Sequence, residues 1–564
     1  MAFNFNFPLF NKKYKNWAVY YVKEGYSITG DSIMGRQAAG WSYFKALIEN
    51  RQDRLGVYVH GESDIADFKN DASTLLGNNE ELLVNFIAYN EPFKAQEYGG
   101  IFVPGPGIAK FADERTIYGH NQYSIVGITH TTATHRVMTD LRNIITRDVT
   151  PWDALICTSK CVLDTVKRVF DTETDFLNER FGIKNKFIYP ELPVIPLGID
   201  VKEFDFSEEF KLKSRNSLNI GKDDLVVSFV GRLSFHAKAH HYPMYVALQN
   251  ISKKIPNKKI HLIQTGWFGN DFIEKAFKNE AKELCPDVEC HFLDGMNQDN
   301  KFITLSSSDI FMSLSDNIQE TFGITPIEGM ASGIPVIVSD WNGYRDTVRD
   351  NIDGYSIKTI SVDEGDGEDL AYNHMIGNLN YDHYVGLSAQ RVAVDIGELD
   401  EKLTNLMTDE NLRKEFGANG KSRAQDTYDW PIVLKQYASV ADELDKLRVS
   451  SKTRNKNFLI SDKLDPFYVF SSYPTLKLKN DLKLKKTNNI IPLSFENILK
   501  FESVRFSEKQ APDAKELLEV YNLFDADRII KFTDIKSKSN YELDKIKRIV
   551  IFLLKFGYLT VTEE

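Results

Sequence analysis

An alternation that runs through this chain twice constrains its fold more than any other feature. Apolar, β-branched runs at Trp17–Val22, Gly56–His60, Gly100–Val103, Tyr123–Thr129, Asp153–Thr158 and Leu192–Pro196 have helical stretches between several of them. The pattern restarts at Leu225–Val230 and continues through Lys259–Thr265, Glu289–Leu293, Ile310–Leu314 and Pro335–Ser339. Short apolar runs bounded by turn residues and separated by helices predict parallel sheets with helices on both faces. At 564 residues with 42% apolar content, the chain has room for several domains, each with its own core. A net charge of −11 argues against a general nucleic-acid binder, and no repeat of solenoid type is present.

The segment Ser313–Asp340, SLSDNIQETFGITPIEGMASGIPVIVSD, reads as a strand end, a polar loop, a short helix and a second buried strand. Glu320 and Glu328 stand eight positions apart across the loop-to-helix junction. Backbone N–H groups at a helix start have no partner within the helix, which suits phosphate or sugar hydroxyls. A plainer reading is also available. Thr325-Pro326-Ile327-Glu328 has the form of a capping box, with Thr325 at N-cap, and Glu328 then only holds its own helix. Glu320 then is a solvated loop residue.

A second site lies upstream, where the run from Leu225 ends at Gly231. Arg232 and Lys238 follow on the loop before the next helix. In an open α/β sheet this is the carboxyl end of a strand, where ligands bind, and a guanidinium with an ammonium suits a diphosphate. Two surface cations are the bland alternative. His236, His240 and His241 cluster beside Lys238. A metal site is one reading of them; shaping of the phosphate loop is the favoured one.

Together these motifs resemble the retaining GT-B glycosyltransferases, specifically glycosyltransferase family 4. The resemblance rests on the Gly-Arg-Leu turn with Lys238 six residues after Arg232, and on the E-x7-E element followed by Pro335-Val-Ile-Val338. Ile195-Pro-Leu-Gly-Ile-Asp-Val-Lys-Glu-Phe204 and Gln264-Thr-Gly266 add to it, and it covers roughly residues 15–445. It implies an α/β GT-B fold: two doubly wound Rossmann-like domains facing a cleft, plus a small, mainly helical C-terminal extension. The expected boundaries are 1–205 for an acceptor domain and 206–430 for a nucleotide-sugar donor domain. A helix at 431–447 crosses back, a basic linker fills 448–494, and the extension takes 495–564.

The same resemblance implies roles. Arg232, Lys238 and Gly35 bind the donor diphosphate, Gly35 from the glycine-containing loop Gly30–Gly40 after the first strand. Glu328 binds the ribose. Glu320 faces the donor sugar as a catalytic group, with the amides of Phe322, Gly323 and Ile324 beside it. His130, at the end of the run Tyr123–Thr129, is the second catalytic candidate; His135 is its rival. The implied activity is a hexosyltransferase that moves a sugar from a UDP- or GDP-linked donor to a saccharide or glycolipid acceptor, with retention, in surface-glycan biosynthesis. No metal or other cofactor is expected. A sugar-nucleotide epimerase, a phosphorylase and a non-catalytic GT-B scaffold are the alternatives.

Cys157, Cys161, Cys285 and Cys290 form no CxxC pair and no usual zinc spacing, which predicts reduced thiols. The start MAFNFNFPLFNKKYKN lacks a signal-peptide layout, and no long uncharged apolar run predicts a membrane span. A cytoplasmic protein is expected. The basic stretch from Arg448 through Lys452, Arg454, Lys456, Lys477 and Lys479 to Lys486 reads as contact with anionic lipid, or as an exposed linker with a lysine-guarded edge strand at Leu476–Lys486. Ser361–Ala389 is an insertion in which Asp363, Asp366 and Asp369 are expected as solvated charges. Ala514–Tyr521 and Leu543–Phe556 predict helices, with a short strand at Tyr558–Val561, hinting at a winged-helix-like module. Asp525-Ala-Asp527 there is expected to cap or end a helix.

Overall fold

The computed structural model describes residues 2–3, 16–27, 35–50, 54–76, 82–184, 187–452, 457–458, 464–488, 493–506, 511–525 and 528–562. Residues 28–34 of the glycine-containing loop, Arg454, Lys456, Ala526 and Asp527 lie outside them. The chain divides into two compact units, Met1–Ile460 and Ser461–Glu564.

The larger unit holds two parallel six-stranded sheets. The first contains β1 (Ala18–Tyr20), β2 (Leu55–Val59), β3 (Val84–Ala88), β4 (Gly100–Val103), β5 (Ser124–Ile128) and β6 (Ala154–Ile156) in the order β3-β2-β1-β4-β5-β6. The second contains β7 (Leu225–Val230), β8 (Ile260–Gly266), β9 (Glu289–Asp294), β10 (Ile310–Ser313), β11 (Val336–Ser339) and β12 (Gly354–Ile357) in the order β9-β8-β7-β10-β11-β12. Both orders are 3-2-1-4-5-6 within their own sheet, the doubly wound dinucleotide-type topology. The central strands β7, β8 and β10 are buried along their whole length, and most of their residues are apolar.

Three expectations need correction. Leu192–Pro196 is not a strand; Glu191 and Val194 make isolated parallel bridges to Ala154 and Cys157, extending the edge at β6 without a ladder. The outer strands β3 and β12 were not foreseen. Four of the five residues of β3 are half-exposed, and β12 opens on a glycine, so neither carries a strong apolar signal. The insertion after Ser361 is structured. Strands Thr359–Ser361 and Val392–Val394 pair antiparallel around helices Glu368–Met375 and Tyr381–Ala389, and Asp369 is bidentate with Arg391 (2.8 and 2.7 Å).

Helix Trp430–Ser450 closes the unit. Its residues Trp430, Val433, Tyr437, Ala441 and Leu444 bury into the core that contains Trp17, Tyr43 and Phe102 of the first domain. Trp430 Nε1 donates to Ser42 Oγ at 2.7 Å. A Cβ on Gly198 would lie 2.5 Å from the Trp430 ring, so glycine is what lets the interdomain segment pass.

The smaller unit has its own core around Leu484, Leu517, Ile535, Ile546, Ile549, Val550 and Leu553. Its sheet is antiparallel, in the order Ile530–Lys531, Lys483–Lys486, Leu559–Val561. The lysine-rich strand is therefore the central one, not a guarded edge. Leu484 points into the core while the lysine heads stay near water, the usual behaviour of long cationic side chains. Leu478 and Leu482 also pack on this core, so the extension begins well before residue 495 and the basic linker is correspondingly shorter.

Candidate functional site

Strands β7 and β10 are neighbours (Val227 beside Ile310, Ser228 beside Phe311), yet their connections leave toward opposite ends of the sheet. A crevice opens at their carboxyl ends, where such sheets bind ligands. β7 stops at Gly231, whose φ of 150° is one that residues with a Cβ rarely adopt, and the chain turns there at once. Gly266 at the end of β8 comes so close that a Cβ on it would lie 1.9 Å from the Gly231 oxygen. These glycines draw the loop 231–238 across the strand ends.

That loop presents both expected cations. Arg232 donates from Nη2 to Gln319 Oε1 (2.8 Å) and to the Ala237 oxygen (3.0 Å), and its guanidinium lies 5.9 Å from the Trp267 ring centroid. Lys238 Nζ is ion-paired with the Glu320 carboxylate. The loop after β10 is laced to it: Ser315 Oγ donates to the Lys238 oxygen at 2.8 Å and Asn317 Nδ2 to the His236 oxygen at 2.6 Å. Burial pushes the Glu320 pKa up and the Lys238 pKa down, but each charge outweighs the other's burial. Glu320 is held below the ordinary carboxylate value and Lys238 above the ordinary ammonium value. Glu320 Oε1 also accepts from the amides of Thr321 (3.2 Å) and Phe322 (3.4 Å).

The helix that follows is Ile324–Ala331, with Gly323 at N-cap in the left-handed region (φ 91°). A side chain there would strike the Tyr344 ring, at 2.0 Å from Cβ. Thr325 is therefore inside the helix, its Oγ1 buried with no hydrogen-bond partner among the described residues, and the capping-box reading fails. Glu328 sits in the second turn, too far along to reach the N-cap amide. Its Oε1 accepts from Lys301 Nζ at 2.9 Å, while Oε2 is buried with no hydrogen-bond partner among the described residues. A buried carboxylate oxygen left unpaired is costly unless a donor arrives.

From the first domain, His130 emerges at the end of β5 as expected. Burial, aided by the charge of Arg36, pushes its pKa down to about 4, so it is neutral at pH 7. Gly35 opens the helix Gly35–Glu49 with no described residue crowding its α-carbon, and Arg36 follows it. His135 is exposed at the start of helix His135–Thr146. The first domain touches the Glu320 loop directly: Ser159 Oγ donates to the Thr321 oxygen at 2.8 Å, and the Lys160 amide to Asp346 Oδ2 at 2.6 Å.

The three loop histidines do not converge. His236 Nδ1 meets Ser234 Oγ (3.2 Å), His240 Nδ1 accepts from the Tyr242 amide (3.2 Å), and His241 Nε2 meets Glu280 (2.6 Å). Sequence reading missed Gln319, Lys301, Trp267 and Arg36 as site residues. It also missed Asp382, whose charge bears on Arg232 and His236 from the insertion helix Tyr381–Ala389. Lys301 and Asp382 reach the site only through tertiary packing, so no local pattern marks them.

Comparison with known proteins gives matches to part of the chain. Residues 210–365, which contain Arg232, Lys238, Glu320 and Glu328, match the family described as Glycosyl transferases group 1. An uncharacterised glycosyltransferase of Methanocaldococcus jannaschii is 29% identical over 206 residues, 36% of this chain and 45% of that protein. The D-inositol 3-phosphate glycosyltransferase of Corynebacterium kroppenstedtii is 28% identical over 226 residues, 39% of this chain and 47% of that protein. The chain thus spans about half the length of these curated relatives. Sucrose-phosphate synthase from Thermosynechococcus elongatus superposes over 76% of this chain and 99% of its own at a TM-score of 0.47 and 14% identity. The second Rossmann-like domain of this chain is therefore similar to the group 1 glycosyltransferases, and both sheets have the doubly wound strand order.

Proposed function

We propose that the chain is a retaining hexosyltransferase that takes a sugar from a UDP- or GDP-linked donor and passes it to a saccharide or glycolipid acceptor in the making of a surface glycan. The observation that carries this reading is the set of groups on the carboxyl-end side of the second sheet: Arg232 held by Gln319, Lys238 paired with Glu320, a glycine-capped helix start, and a Glu328 Oε2 with no hydrogen-bond partner among the described residues. Breaking the anomeric C–O bond leaves positive charge on the sugar and negative charge on the departing nucleoside diphosphate. Arg232, Lys238 and the amides at Gly323 and Ile324 would meet that negative charge as it develops, with Gly35 approaching from the first domain. Their charge suffices for the departing group, so the reading calls on no metal. Glu328 Oε2 would accept from the ribose hydroxyls. Glu320, aimed by Lys238 and two amides, would face the sugar beside Phe322, and neutral His130 would hydrogen-bond the sugar or the acceptor. Attack on the face from which the diphosphate leaves gives retention without a protein nucleophile. Closure of the two domains would keep water out.

Incubating the protein with a panel of UDP-, GDP- and ADP-sugars and measuring released nucleotide tests this. Release from one donor, abolished in Lys238→Ala, supports it. No release from any donor, with no thermal stabilisation by UDP, GDP or ADP, favours the scaffold alternative. Interconversion of a free nucleotide sugar without acceptor favours the epimerase.

A peripheral membrane contact belongs to the same reading, placing the protein in the cytoplasm on the inner membrane face. Among the described residues no helix is long and apolar enough to cross a membrane. In the smaller unit, however, Phe467 (87% exposed), Tyr468, Phe470 and Tyr473 (78% exposed) stand in water just before Lys477 and Lys479. Aromatic side chains beside lysines suit an anionic lipid surface. Sedimentation with phosphatidylserine vesicles, lost on Phe467→Ser with Tyr473→Ser or in high salt, is the expected outcome; equal binding to neutral vesicles or none refutes it.

A further inference from the structure

The second sheet has chemistry at its other end. His261 lies near the start of β8, and Glu289 and His291 lie in the first half of β9, the edge strand. The parallel register sets His261 directly beside Glu289, with His291 two residues on along the same face. His261 is buried, His291 half-buried and Glu289 exposed. These are the amino ends of the strands, on the opposite side of the sheet's length from Arg232 and Lys238.

The three side chains converge. His261 Nδ1 lies 3.0 Å from His291 Nε2 and 3.9 Å from Glu289 Oε2, and His291 Nε2 lies 4.0 Å from Glu289 Oε1. Ligand atoms about 2.0–2.1 Å from a tetrahedral ion are about 3.3–3.4 Å apart, so the triangle needs only small side-chain adjustments. The outer partner of His261 fixes its role. Its Nε2 lies 3.0 Å from Asp224 Oδ2, and Asp224 is itself held by the Gly221 amide at 2.7 Å. A carboxylate only accepts, so Nε2 carries the proton and the Nδ1 lone pair faces His291. Two imidazole nitrogens turned toward each other, one backed by a carboxylate, form the carboxylate–histidine–metal arrangement. Two nitrogens and one carboxylate oxygen suit zinc, with a fourth position left for water. Lys259, now ion-paired with Glu289, is exposed enough to swing away.

We propose that His261, His291 and Glu289, supported by Asp224, form a zinc site that fastens edge strand β9 to β8 and to the turn before β7. It lies outside the donor crevice, so its part is structural: a bound ion stabilises the folded second domain by mass action.

Titration of tag-free, chelator-stripped full-length protein with Zn2+ tests the assignment by calorimetry, with Co2+ as a spectroscopic probe of a tetrahedral site. One Zn2+ per chain is expected, with a melting temperature higher by about 3–6 °C at saturating metal. His291→Gln and Glu289→Gln should each weaken binding at least about 10-fold, and Asp224→Asn by about 10–100-fold. All three should melt at the parent's temperature in chelator, which shows that they fold. Lys238→Ala should bind Zn2+ unchanged, separating this site from the crevice. Absence of 1:1 binding in the parent, or parental affinity in both His291→Gln and Glu289→Gln, overturns the proposal.

Discussion

The two Rossmann-like halves share one strand order and differ in what they place at the crevice that order creates. In the second half, the loops after β7 and β10 carry Arg232 and the Lys238–Glu320 pair, and the helices beside them carry Glu328 with its Lys301 partner. In the first half, the described residues offer a neutral histidine and Arg36. Topology makes the recess; side chains decide what fills it. On the proposed reading, the charged groups of the second half are the ones that would meet charge developing on a leaving group, whereas the described residues of the first half add one guanidinium and a neutral imidazole. The family match covers 210–365, which lies within the charged half.

The strongest way to break this contrast is to remove the charge. Lys238→Ala should lower sugar transfer by about 10²–10³-fold, the scale of losing one preorganised charge partner. It should also destabilise the fold, because Glu320 is left buried and unpaired; such losses run to about 3–5 kcal/mol. The two effects separate in Lys238→Met with Glu320→Leu, which should recover most of the melting temperature and none of the rate. Recovery of both would make the pair structural only.

In the neutral half, His130→Gln should lower kcat by about 10–100-fold if the imidazole touches sugar or acceptor, while donor affinity is unchanged. It also has a pH signature. The folded imidazole titrates near 4 and the unfolded one near 6.5, so between those values the unfolded chain takes up a proton that the folded chain does not. Stability therefore falls as pH drops from 6.5 to 4. His130→Gln should remove about 1–3 kcal/mol of that fall, seen by comparing unfolding of both proteins at pH 7.5 and 4.5.

Glu328→Gln sharpens the contrast at lower cost. The amide keeps the shape but places a donor where the ribose hydroxyls must donate, so nucleotide affinity should weaken about 10-fold by calorimetry with UDP and GDP. An unchanged affinity would return Glu328 to a purely structural pairing with Lys301.

Much of this was legible because it is local. The strands at Leu225–Val230 and Gly100–Val103 and the helix Ala514–Tyr521 were predicted to the residue, since buried runs and a capping box, here Asp513 with Glu516, are written in adjacent positions. The cations and carboxylates of the crevice were legible because each follows a strand end. The capping box at Thr325 was misread because the pattern cannot show that Gly323, wedged against Tyr344, already starts the helix. Lys301, Asp382 and the zinc triangle escaped notice because they join elements far apart in sequence. The lysine strand Lys483–Lys486 was misplaced for the same reason: its two flanking strands arrive some 45 and 75 residues later.

The smallest effect tests how finely the charged half is tuned. Asp316 follows β10 and is buried, and its Oδ1 has no hydrogen-bond partner among the described residues. Burial pushes its pKa up to about 7, against the pull of backbone amides that favour the ionised form. The folded chain therefore holds a proton that the unfolded chain has lost between pH 4 and 7, so this residue's contribution to stability declines as pH rises through 7. Asp316→Asn removes the titration. It should melt close to the parent at pH 5 and above it at pH 8.5, by about 1–2 kcal/mol of relative stability. If the two proteins keep the same difference at both pH values, Asp316 stays ionised throughout, and the crevice holds one more fixed negative charge than this contrast allows.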